Sequence, residues 1–492
     1  MCAPRHVYVS GTSFSLPRVD LLTLRAAAGG GSIDGRSATS IVAAGFTLLQ
    51  RSPVLVRALA GRRAGILLPT SPQFLVALAA ADGRGAVLVN PLAAPSEIAY
   101  QCADAAVGAI LTLSAFAPRI PPGMVMVLLD DAPATATVVA SDGTTTRIDL
   151  GSHFGLEVEG DAEAPGRDEE CAIVYTSGMA GRALGAILTH RNLITNARAA
   201  VQAAAFTPGS HLLAVLPFSH LFGLTVSGIA PLLAGARVST MARFNPITAV
   251  DRIVTEGITA IVGVPAIFSA MLTAIERRGG IAMPSLTLSI CGGAPLDPAL
   301  QARWTEVTGV EMRQGYGLTE ASPVALFNRT DRPNARGTLG LPFPGVRVSV
   351  RDPDTGAALP VGDEGELCVA GETVFRGYVS GGADGLAMRD GWLRTGDLGR
   401  ARADGTFEFR GLLKPMFTRN GFNVYPREVE RVLGGMPGVE SVRAFGVPDA
   451  ASEHEVAVEI VGTVGEAEVK AFAEAHLSAY KRPSRITIHS RG

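Results

Sequence analysis

Apolar and polar positions follow two different patterns in the first third of the chain. Residues 38–60 and 71–82 repeat apolar side chains at the spacing of a helix with one buried face. Short runs that are apolar throughout, residues 64–68, 85–89 and 109–113, have the length of buried strands. Because strands that alternate with helices form parallel sheets covered on both faces, this part predicts a doubly wound α/β unit.

The same alternation continues beyond residue 170. Apolar runs at residues 212–216, 260–264 and 286–290 predict further buried strands between helices. Residues 201–236 contain no Asp, Glu, Lys or Arg, as a membrane span would. Three prolines and several glycines interrupt this stretch, however, and a proline removes a helical hydrogen bond. We therefore expect a buried segment of a globular protein and no membrane span.

The pattern changes again near residue 337. Residues 345–350 and 365–370 alternate apolar and polar side chains, and turns rich in Asp, Pro and Gly separate them. Strict alternation is typical of antiparallel strands, so we expect a small β-barrel here. Near the end of the chain, residues 439–445 and 455–460 predict strands and residues 465–476 predict a helix.

These patterns predict an α/β fold with a large N-terminal domain and a small C-terminal one. The large domain would hold two doubly wound α/β subdomains plus the small β-barrel, and the small domain would be α+β. The expected bounds are residues 1–411 for the large domain (about 1–170 and 171–330 for the α/β subdomains and about 331–411 for the barrel) and 416–492 for the small domain.

Composition narrows the class of protein. The 492 residues are 47% hydrophobic and carry a formal net charge of −2, which fits a globular enzyme with a large core and argues against a nucleic-acid partner. The five cysteines are scattered, with no metal-ligand spacing, and predict reduced thiols in a cytoplasmic protein. The first sixteen residues have no apolar signal core, so secretion is not expected.

One loop carries candidate chemistry. Residues 175–185 read Tyr-Thr-Ser-Gly-Met-Ala-Gly-Arg-Ala-Leu-Gly, and they lie between the apolar run at residues 171–174 and a helix-like segment that begins near Thr189. A strand, a loop rich in glycine and hydroxyls, and a helix start can form a cradle of backbone N–H groups for a phosphate. Such loops are common in α/β proteins, so a purely structural turn is the favoured interpretation when the loop is taken alone.

Three further segments follow the loop in order along the chain. They are Gln314-Gly-Tyr-Gly-Leu-Thr-Glu320, Trp392-Leu-Arg-Thr-Gly-Asp-Leu-Gly399 and Gly421-Phe-Asn-Val-Tyr-Pro-Arg-Glu-Val-Glu430. Together with the loop they resemble the adenylate-forming superfamily, which contains acyl- and aryl-CoA synthetases. The resemblance extends from about residue 40 to residue 483.

The resemblance implies a nucleotide site. Asp397 would accept hydrogen bonds from the ribose hydroxyls, and Tyr316 would stack on adenine. Thr319 would bond the α-phosphate, and Glu320 would hold Mg²⁺ through a hard oxygen ligand. The remaining expected nucleotide contacts are Gly292, Gly293 and Gly317 for AMP and Thr176, Ser177, Gly178 and Gly181 for phosphate.

The resemblance also implies where the acyl group meets coenzyme A. His220, in Leu216-Pro-Phe-Ser-His-Leu-Phe-Gly223, would sit where the acyl group meets the thiol, although a lone histidine in an apolar run is otherwise a core residue. Phe222, Gly315 and Pro323 are the expected acyl-pocket positions, and Gly421, Phe422 and Asn423 are expected beside the pantetheine.

The chain departs from the family pattern at several positions. In the loop, Met179, Ala180, Ala183 and Leu184 replace two threonines, a proline and a lysine that would hold the phosphates of ATP. The resemblance also implies a hinge at residues 412–415, about which the small domain would swing. Here Gly411-Leu-Leu-Lys-Pro415 replaces Gly-Arg-x-Lys-Asp, so Pro415, beside Lys414, should restrict that swing. A lysine expected about fifteen residues after Pro483 is not reached, since the sequence ends at Gly492.

These departures favour one hypothesis among three. The first is an enzyme that moves an acyl or aryl group between CoA and the phosphopantetheine of an acyl carrier protein with little ATP use, as in natural-product pathways, with AMP and Mg²⁺ as further ligands. The second is a conventional ATP-dependent acyl- or aryl-CoA ligase. The third is a non-catalytic binding homologue. Sequence leaves the acyl group and the oligomeric state open.

Overall fold

The computed structural model describes most of the chain. The described residues are 5–9, 12–16, 21–81, 84–151, 156–158, 168–176, 183–381, 387–413, 416–449 and 452–489. Side chains are described from residue 22 onwards, apart from Leu24 and residues 156–158.

The strands are numbered in chain order. Those of the first half are β1 Arg5–Val9, β2 Thr12–Leu16, β3 Ser32–Ile33, β4 Arg36–Ser37, β5 Arg63–Leu67, β6 Ala86–Leu88, β7 Val107–Thr112, β8 Val125–Leu128, β9 Thr135–Val139, β10 Thr145–Asp149, β11 Leu156–Val158, β12 Glu170–Thr176, β13 Leu184–Thr189, β14 His211–Ala214 and β15 Arg237–Thr240. Those of the second half are β16 Ala260–Gly263, β17 Leu288–Cys291, β18 Met312–Gly317, β19 Val324–Phe327, β20 Leu341–Pro342, β21 Val346–Arg351, β22 Glu364–Gly371, β23 Gly377–Tyr378, β24 Met388–Arg389, β25 Trp392–Ala401, β26 Phe407–Leu412, β27 Phe417–Arg419, β28 Phe422–Val424, β29 Val439–Asp449, β30 Glu453–Gly462 and β31 Arg485–His489.

The helices are fewer. They are α1 Leu21–Ala28, α2 Ala38–Arg51, α3 Pro53–Ala58, α4 Pro72–Ala79, α5 Pro95–Asp104, α6 His190–Ala204, α7 Ala230–Leu233, α8 Pro246–Thr255, α9 Pro265–Arg277, α10 Pro298–Thr308, α11 Pro426–Gly434 and α12 Glu466–His476. A π-helical segment covers Phe222–Ile229, and short 3₁₀ turns cover Ser114–Arg119, Thr319–Ala321 and Ala479–Lys481. The helix predicted over residues 38–60 is two helices, because Ser52 and Pro53 end α2 and start α3.

Two nine-stranded sheets form the large domain. The first has the order β10-β9-β8-β7-β5-β6-β12-β13-β23, and its centre, β8-β7-β5-β6-β12, is parallel. The second has the order β20-β19-β18-β17-β16-β14-β15-β3-β4, and β18 to β3 are parallel. Helices α1, α2, α4 and α6 share one buried apolar core with strands of both sheets. The predicted doubly wound α/β architecture is confirmed.

The two sheets exchange strands across the expected boundary near residue 170. Strands β12, β13 and β23 complete the first sheet, although they follow that boundary in the chain. Strands β3 and β4 lie at the edge of the second sheet, although they precede the expected boundary by more than a hundred residues in the chain. The subdomain bounds therefore do not coincide with the sheets.

The remaining elements form smaller antiparallel and mixed sheets. Strands β21, β22, β25 and β24 pair in that order, and β26 also pairs with β25. The alternating region is thus antiparallel, as predicted. The small domain packs α11 and α12 around the sheet β29-β30-β31, so it is α+β as expected.

The uncharged stretch at residues 201–236 is divided among short elements. It contains the end of α6, strand β14, the π-helical segment and α7. In the part of the chain that the structure describes, no helix has the length and apolarity needed to cross a membrane. The four described cysteines, Cys102, Cys171, Cys291 and Cys368, are buried free thiols.

Candidate active site

A cavity of about 970 Å³ lies between the large and small domains. Its walls come from α5, the ends of β12, β17, β18 and β25, the turn that contains His220, and from β27, β28 and α11 of the small domain. In a parallel α/β sheet, ligands bind where the carboxyl ends of neighbouring strands meet, and β17 and β18 end here. The cavity therefore occupies the position expected of a binding site.

Tyr316 and Asp397 face each other in this cavity. The Tyr316 hydroxyl, on β18, donates to Oδ2 of Asp397, on β25, at 2.7 Å. The backbone of this strand is held in place by Thr395, whose hydroxyl donates to the Leu367 carbonyl at 2.7 Å. Burial raises the pKa of Asp397 to about 6, even though the Tyr316 hydrogen bond lowers it. A partly buried carboxylate next to a planar ring suits a nucleoside.

Glu320 is the centre of a second polar group. Its Oε1 accepts hydrogen bonds from Thr176 Oγ1 at 3.1 Å and from the Tyr378 hydroxyl at 2.9 Å. Burial raises the pKa of Glu320 above its usual value, and both donors oppose that rise. Thr319 precedes it in the same 3₁₀ turn and also lines the cavity. The turn places a hydroxyl and a carboxylate side by side.

The arrangement fits a Mg²⁺ ion that is coordinated by one protein carboxylate. Among the described residues, no group of three or more His, Cys, Asp or Glu side chains could hold a metal ion. Mg²⁺ commonly uses one or two carboxylates together with substrate phosphates and water. Glu320 is a buried carboxylate of the cavity that could supply that ligand, whereas Glu428, which is also buried in the lining, pairs with Lys481.

His220 is held in a tight turn at the cavity wall. The Thr70 hydroxyl donates to the Leu216 carbonyl at 2.9 Å and accepts from the Phe218 N–H at 3.2 Å, which anchors the turn to the first sheet. The Phe222 N–H donates to His220 Nδ1 at 3.3 Å. The ring is surrounded by protein yet open to the cavity, and desolvation lowers its pKa. The Phe222 N–H at Nδ1 favours the tautomer of His220 that carries its proton on Nε2.

The predicted glycine positions meet at the ends of β17 and β18. A Cβ added to Gly292 would lie 2.9 Å from the Gly315 carbonyl oxygen and 3.3 Å from the Phe222 ring. A Cβ added to Gly317 would lie only 1.9 Å from the Pro323 carbonyl oxygen. Glycine is thus required for these backbones to approach each other. Gly293 lines the same part of the cavity.

The small domain presents a turn to the cavity. Gly421 has a φ of +76°, and a Cβ added there would lie 2.7 Å from a Val264 methyl group of the large domain. Phe422 stacks on Tyr480 with ring centroids 4.6 Å apart, and Asn423 lines the cavity beside it. The predicted pantetheine-side residues therefore share one cavity with Tyr316 and Asp397.

Comparison with known proteins identifies the family. The profile of the family described as AMP-binding enzyme matches residues 55–379. The chain belongs to the AMP-binding enzyme family. It is 30% identical to a long-chain-fatty-acid–CoA ligase of Escherichia coli O6:H1 over 87% of this chain and 82% of that protein. It is also 30% identical to a feruloyl-CoA synthase of Amycolatopsis sp over 88% of this chain and 85% of that protein.

A solved structure shares the fold of the whole chain. It is a double mutant of o-succinylbenzoate CoA synthetase from Bacillus subtilis bound with its product analogue OSB-NCoA. That structure covers 96% of this chain and 95% of its own at a TM-score of 0.79 and 22% identity. The fold is therefore that of an acyl-CoA synthetase of the AMP-binding family, with a large N-terminal and a smaller C-terminal domain.

The family's phosphate loop is only partly described. Ser177, Gly178 and Gly181 lie outside the described residues, as do the hinge positions Lys414 and Pro415. Leu184 is buried at 4% exposure and starts strand β13 opposite Thr176. The expected helix start does not follow the loop directly, because β13 lies between the loop and α6. Thr189 caps α6, accepting from the Asn192 N–H.

Several cavity residues were not predicted from the sequence. Tyr378 binds Glu320 from β23, an edge strand with no motif of its own. Tyr425 follows the Gly421-Phe-Asn423 turn directly, so that motif was a signal for it; burial and then the charges of Glu320 and Asp397 raise its pKa. Glu97 and Lys481 also line the cavity, and no spacing in the sequence relates them.

An apolar wall of the cavity comes from four elements. Helix α6, the π-helical segment, β17 and β19 contribute Ala200, Ala204, Phe222, Val226, Ile290, Val324 and Phe327 to the cavity lining. None of these contributed residues is ionisable. The charged residues that line the cavity lie elsewhere: Glu97, Glu320, Arg394, Asp397, Glu428, Arg431 and Lys481.

Proposed function

We propose that this protein is an ATP-dependent acyl- or aryl-CoA ligase that works through an acyl-AMP. The observation that carries the proposal is that Tyr316, Asp397 and Glu320 share one cavity with His220 and with the Gly421-Phe-Asn423 turn. A nucleotide, an acyl group and a thiol thus have adjoining places. Membership of the AMP-binding family and the ligase and synthase relatives support the same reaction.

The first half of the proposed reaction joins the substrate carboxylate to AMP. A carboxylate oxygen attacks the α-phosphorus of ATP, and pyrophosphate leaves with the electron pair of the broken P–O bond. Asp397 holds the ribose hydroxyls, Tyr316 covers the adenine, and Thr319 donates to an α-phosphate oxygen. Glu320 would hold Mg²⁺, which supplies charge neutralisation at the phosphates.

The second half moves the acyl group to the thiol of coenzyme A. The sulfur attacks the acyl carbonyl, the thiol proton goes to water, and AMP leaves. Because His220 carries its proton on Nε2, it can donate a hydrogen bond to the carbonyl oxygen as negative charge develops there. The same bond to Nδ1 leaves His220 unsuited to accept the thiol proton. We assign it the role of an oxyanion donor.

The uncharged wall supports a substrate class. A second carboxylate buried among Ala200, Val226 and Ile290 would lose its hydration without gaining a partner. The burial of apolar surface, in contrast, is favourable by a free energy of roughly 25 cal/mol per Å². We therefore propose that the acyl group is an uncharged chain or ring, and that dicarboxylates are poor substrates.

The test uses matched acids. The protein is incubated with ATP, Mg²⁺, CoA and either octanoate or octanedioate, and either cinnamate or 4-carboxycinnamate, and AMP and acyl-CoA are quantified by mass spectrometry. We expect equal amounts of AMP and acyl-CoA from the monocarboxylate of each pair. Asp397→Ala should abolish both products, whereas Asp404→Ala, at an exposed turn, should not. No AMP from any acid, or preference for the dicarboxylates, would overturn the proposal.

A second function is favoured by one observation. Leu184 brings a buried methyl-rich side chain to the position of the family's phosphate lysine. The two lysines that the structure describes are engaged elsewhere: Lys470 Nζ lies 2.6 Å from Glu466, and Lys481 pairs with two carboxylates. Weak adenylation would favour transfer of the acyl group between CoA and a carrier-protein phosphopantetheine, since thioester exchange needs no ATP.

Carrier-protein mass analysis separates the two functions. A phosphopantetheinylated carrier protein is incubated with the enzyme and an acyl-CoA, with and without ATP. Acylation of the carrier without ATP, together with absent ATP–pyrophosphate exchange, would favour the transferase. Strong exchange with an uncharged acid and no ATP-independent acylation would favour the ligase.

A further inference from the structure

A buried ion cluster joins the two domains beside the cavity. Lys481, near the end of the small domain, places its Nζ 2.9 Å from Glu97 Oε1 and 2.8 Å from Glu428 Oε1. Glu97 belongs to α5 of the large domain, and Glu428 belongs to α11 of the small domain. Lys481 is only 4% exposed. One ammonium therefore bridges two carboxylates that belong to different domains.

The cluster has neighbours that make the contact specific. The Ser478 hydroxyl donates to Glu97 Oε2, and the Ser96 hydroxyl donates to the Ala475 carbonyl at 3.1 Å. Glu97 Oε2 also accepts from the Ala94 N–H at 2.7 Å, which fixes the side chain against the start of α5. Glu97 is thus fixed by its own helix start on the large domain and by Ser478 on the small domain.

Charge balance ties the cluster to this arrangement of the domains. Burial alone would lower the pKa of Lys481, but its neighbours Tyr480, Glu428 and Glu97 outweigh that effect and raise the pKa. If the small domain moved away, Glu97 would return to water while Lys481 kept Glu428. Among the described residues, Glu428 Oε2 is buried with no hydrogen-bond partner, and the Lys481 ammonium at Oε1 compensates the charge of this carboxylate.

The docked arrangement also places small-domain groups in the cavity. It sets Gly421 against Val264 and brings Tyr425 close enough for the charges of Glu320 and Asp397 to affect its pKa. The cluster lies in the same cavity lining as these groups. Its formation and the closure of the cavity by the Gly421-Phe-Asn423 turn therefore occur together.

We propose that Glu97 and Lys481 are positioning residues that select the domain arrangement in which the thiol attacks the acyl group. The inference rests on the proposed ligase function for its kinetic consequence. Neither side chain need touch the reacting atoms. Each acts by holding the Gly421-Phe-Asn423 turn against the large domain.

The kinetic test separates the two half-reactions in Glu97→Gln. Glutamine keeps an acceptor for the Ala94 N–H but removes the charge that pairs with Lys481. We expect single-turnover transfer from bound acyl-AMP to CoA to fall at least about tenfold, while ATP–pyrophosphate exchange stays within about threefold of wild type. Glu466→Gln, which breaks an exposed ion pair on α12, is the matched control and should change neither rate. Equal loss of both half-reactions, or no loss in either, would overturn the inference.

Hydrogen exchange gives a readout that needs no substrate. In Glu97→Gln, the backbone amides of α5 and of residues 417–424 should exchange at least about fivefold faster than in wild type, and the core strands β16 and β17 should be unchanged. Lys481→Arg keeps the charge and should retain most of the protection, whereas Lys481→Met should lose it. Unchanged exchange in Glu97→Gln would refute the positioning role. Absent acyl-AMP formation in wild type would refute the proposed function alone, and the exchange result would still decide this inference.

Discussion

The raised pKa of Asp397 predicts that nucleoside binding weakens in mild acid. Asp397 has a pKa of about 6, so about nine-tenths of it is protonated at pH 5 and almost none at pH 8. A hydrogen bond to a charged acceptor is worth about 1 kcal/mol more than one to a neutral acceptor, and the ribose supplies two. The ionised form should therefore bind about thirtyfold more tightly than the neutral form.

These values combine into one measurable change. With about a tenth of the carboxyl ionised at pH 5, the Kd of adenosine should rise about eightfold between pH 8 and pH 5. Isothermal calorimetry with adenosine is the suitable assay, because adenosine itself does not titrate in this range whereas the phosphate of AMP does. Affinity must be lost as pH falls, since the ionised carboxylate is the form that accepts both hydroxyls.

Two variants identify the titrating group. In Asp397→Asn the Kd of adenosine should be weaker and independent of pH. In Tyr316→Phe the midpoint should move above pH 6, because the Tyr316 hydrogen bond is what holds the pKa of Asp397 down. A flat Kd in wild type, or the same pH slope in Asp397→Asn, would show that Asp397 is not the ribose acceptor.

Three further outcomes are expected. Since the folded-state pKa of Asp397 lies above its unfolded value, this carboxyl lowers the free energy of unfolding as pH rises through about 4 to 6. Asp397→Asn should therefore raise the free energy of unfolding by about 1–3 kcal/mol at pH 8 and hardly change it at pH 4, and thermal denaturation at the two pH values measures this difference. Gly317→Ala should lower the free energy of unfolding by more than about 3 kcal/mol or prevent folding, because the new Cβ would lie 1.9 Å from the Pro323 carbonyl oxygen. A free energy from denaturant unfolding within about 1 kcal/mol of wild type would contradict this. Tyr378→Phe removes a donor that lowers the pKa of Glu320, so the acid limb of the pH profile for Mg²⁺-dependent pyrophosphate exchange should move to higher pH, and an unmoved limb would exclude Glu320 as the metal ligand.

The parts of the site that could be predicted from sequence are those encoded by short motifs at strand ends. Gly315, Tyr316 and Gly317 lie at the end of one parallel strand, and the glycines at residues 292 and 293 lie directly after its neighbour. The resemblance to the adenylate-forming superfamily named these residues, and the fold brings them together because such strands end at the same edge of a sheet. The helix near Thr189 was predicted from the local sequence, and its cap residues, Thr189 and Asn192, are local as well.

Other parts depend on contacts that no local pattern records. Strand β13 was missed because a six-residue apolar run fits a strand or part of a buried helix equally well. The contact between Tyr378 and Glu320 spans 58 residues, and that between Lys481 and Glu97 spans 384. Hydrogen bonds of this kind are set by how sheets and domains pack, so a single sequence contains no periodicity from which they could be read.

The exchange of strands between the two large sheets has a consequence for how the chain is made. Strands β3 and β4 leave the ribosome early, but their partner β15 is synthesised about two hundred residues later. The first sheet likewise stays incomplete until β12 and β13 have been synthesised. Neither sheet can therefore close cotranslationally as an independent unit, and both should acquire their final hydrogen bonds late and together. A split of the gene near residue 170 should consequently yield two insoluble halves that regain the fold only when they are expressed in the same cell.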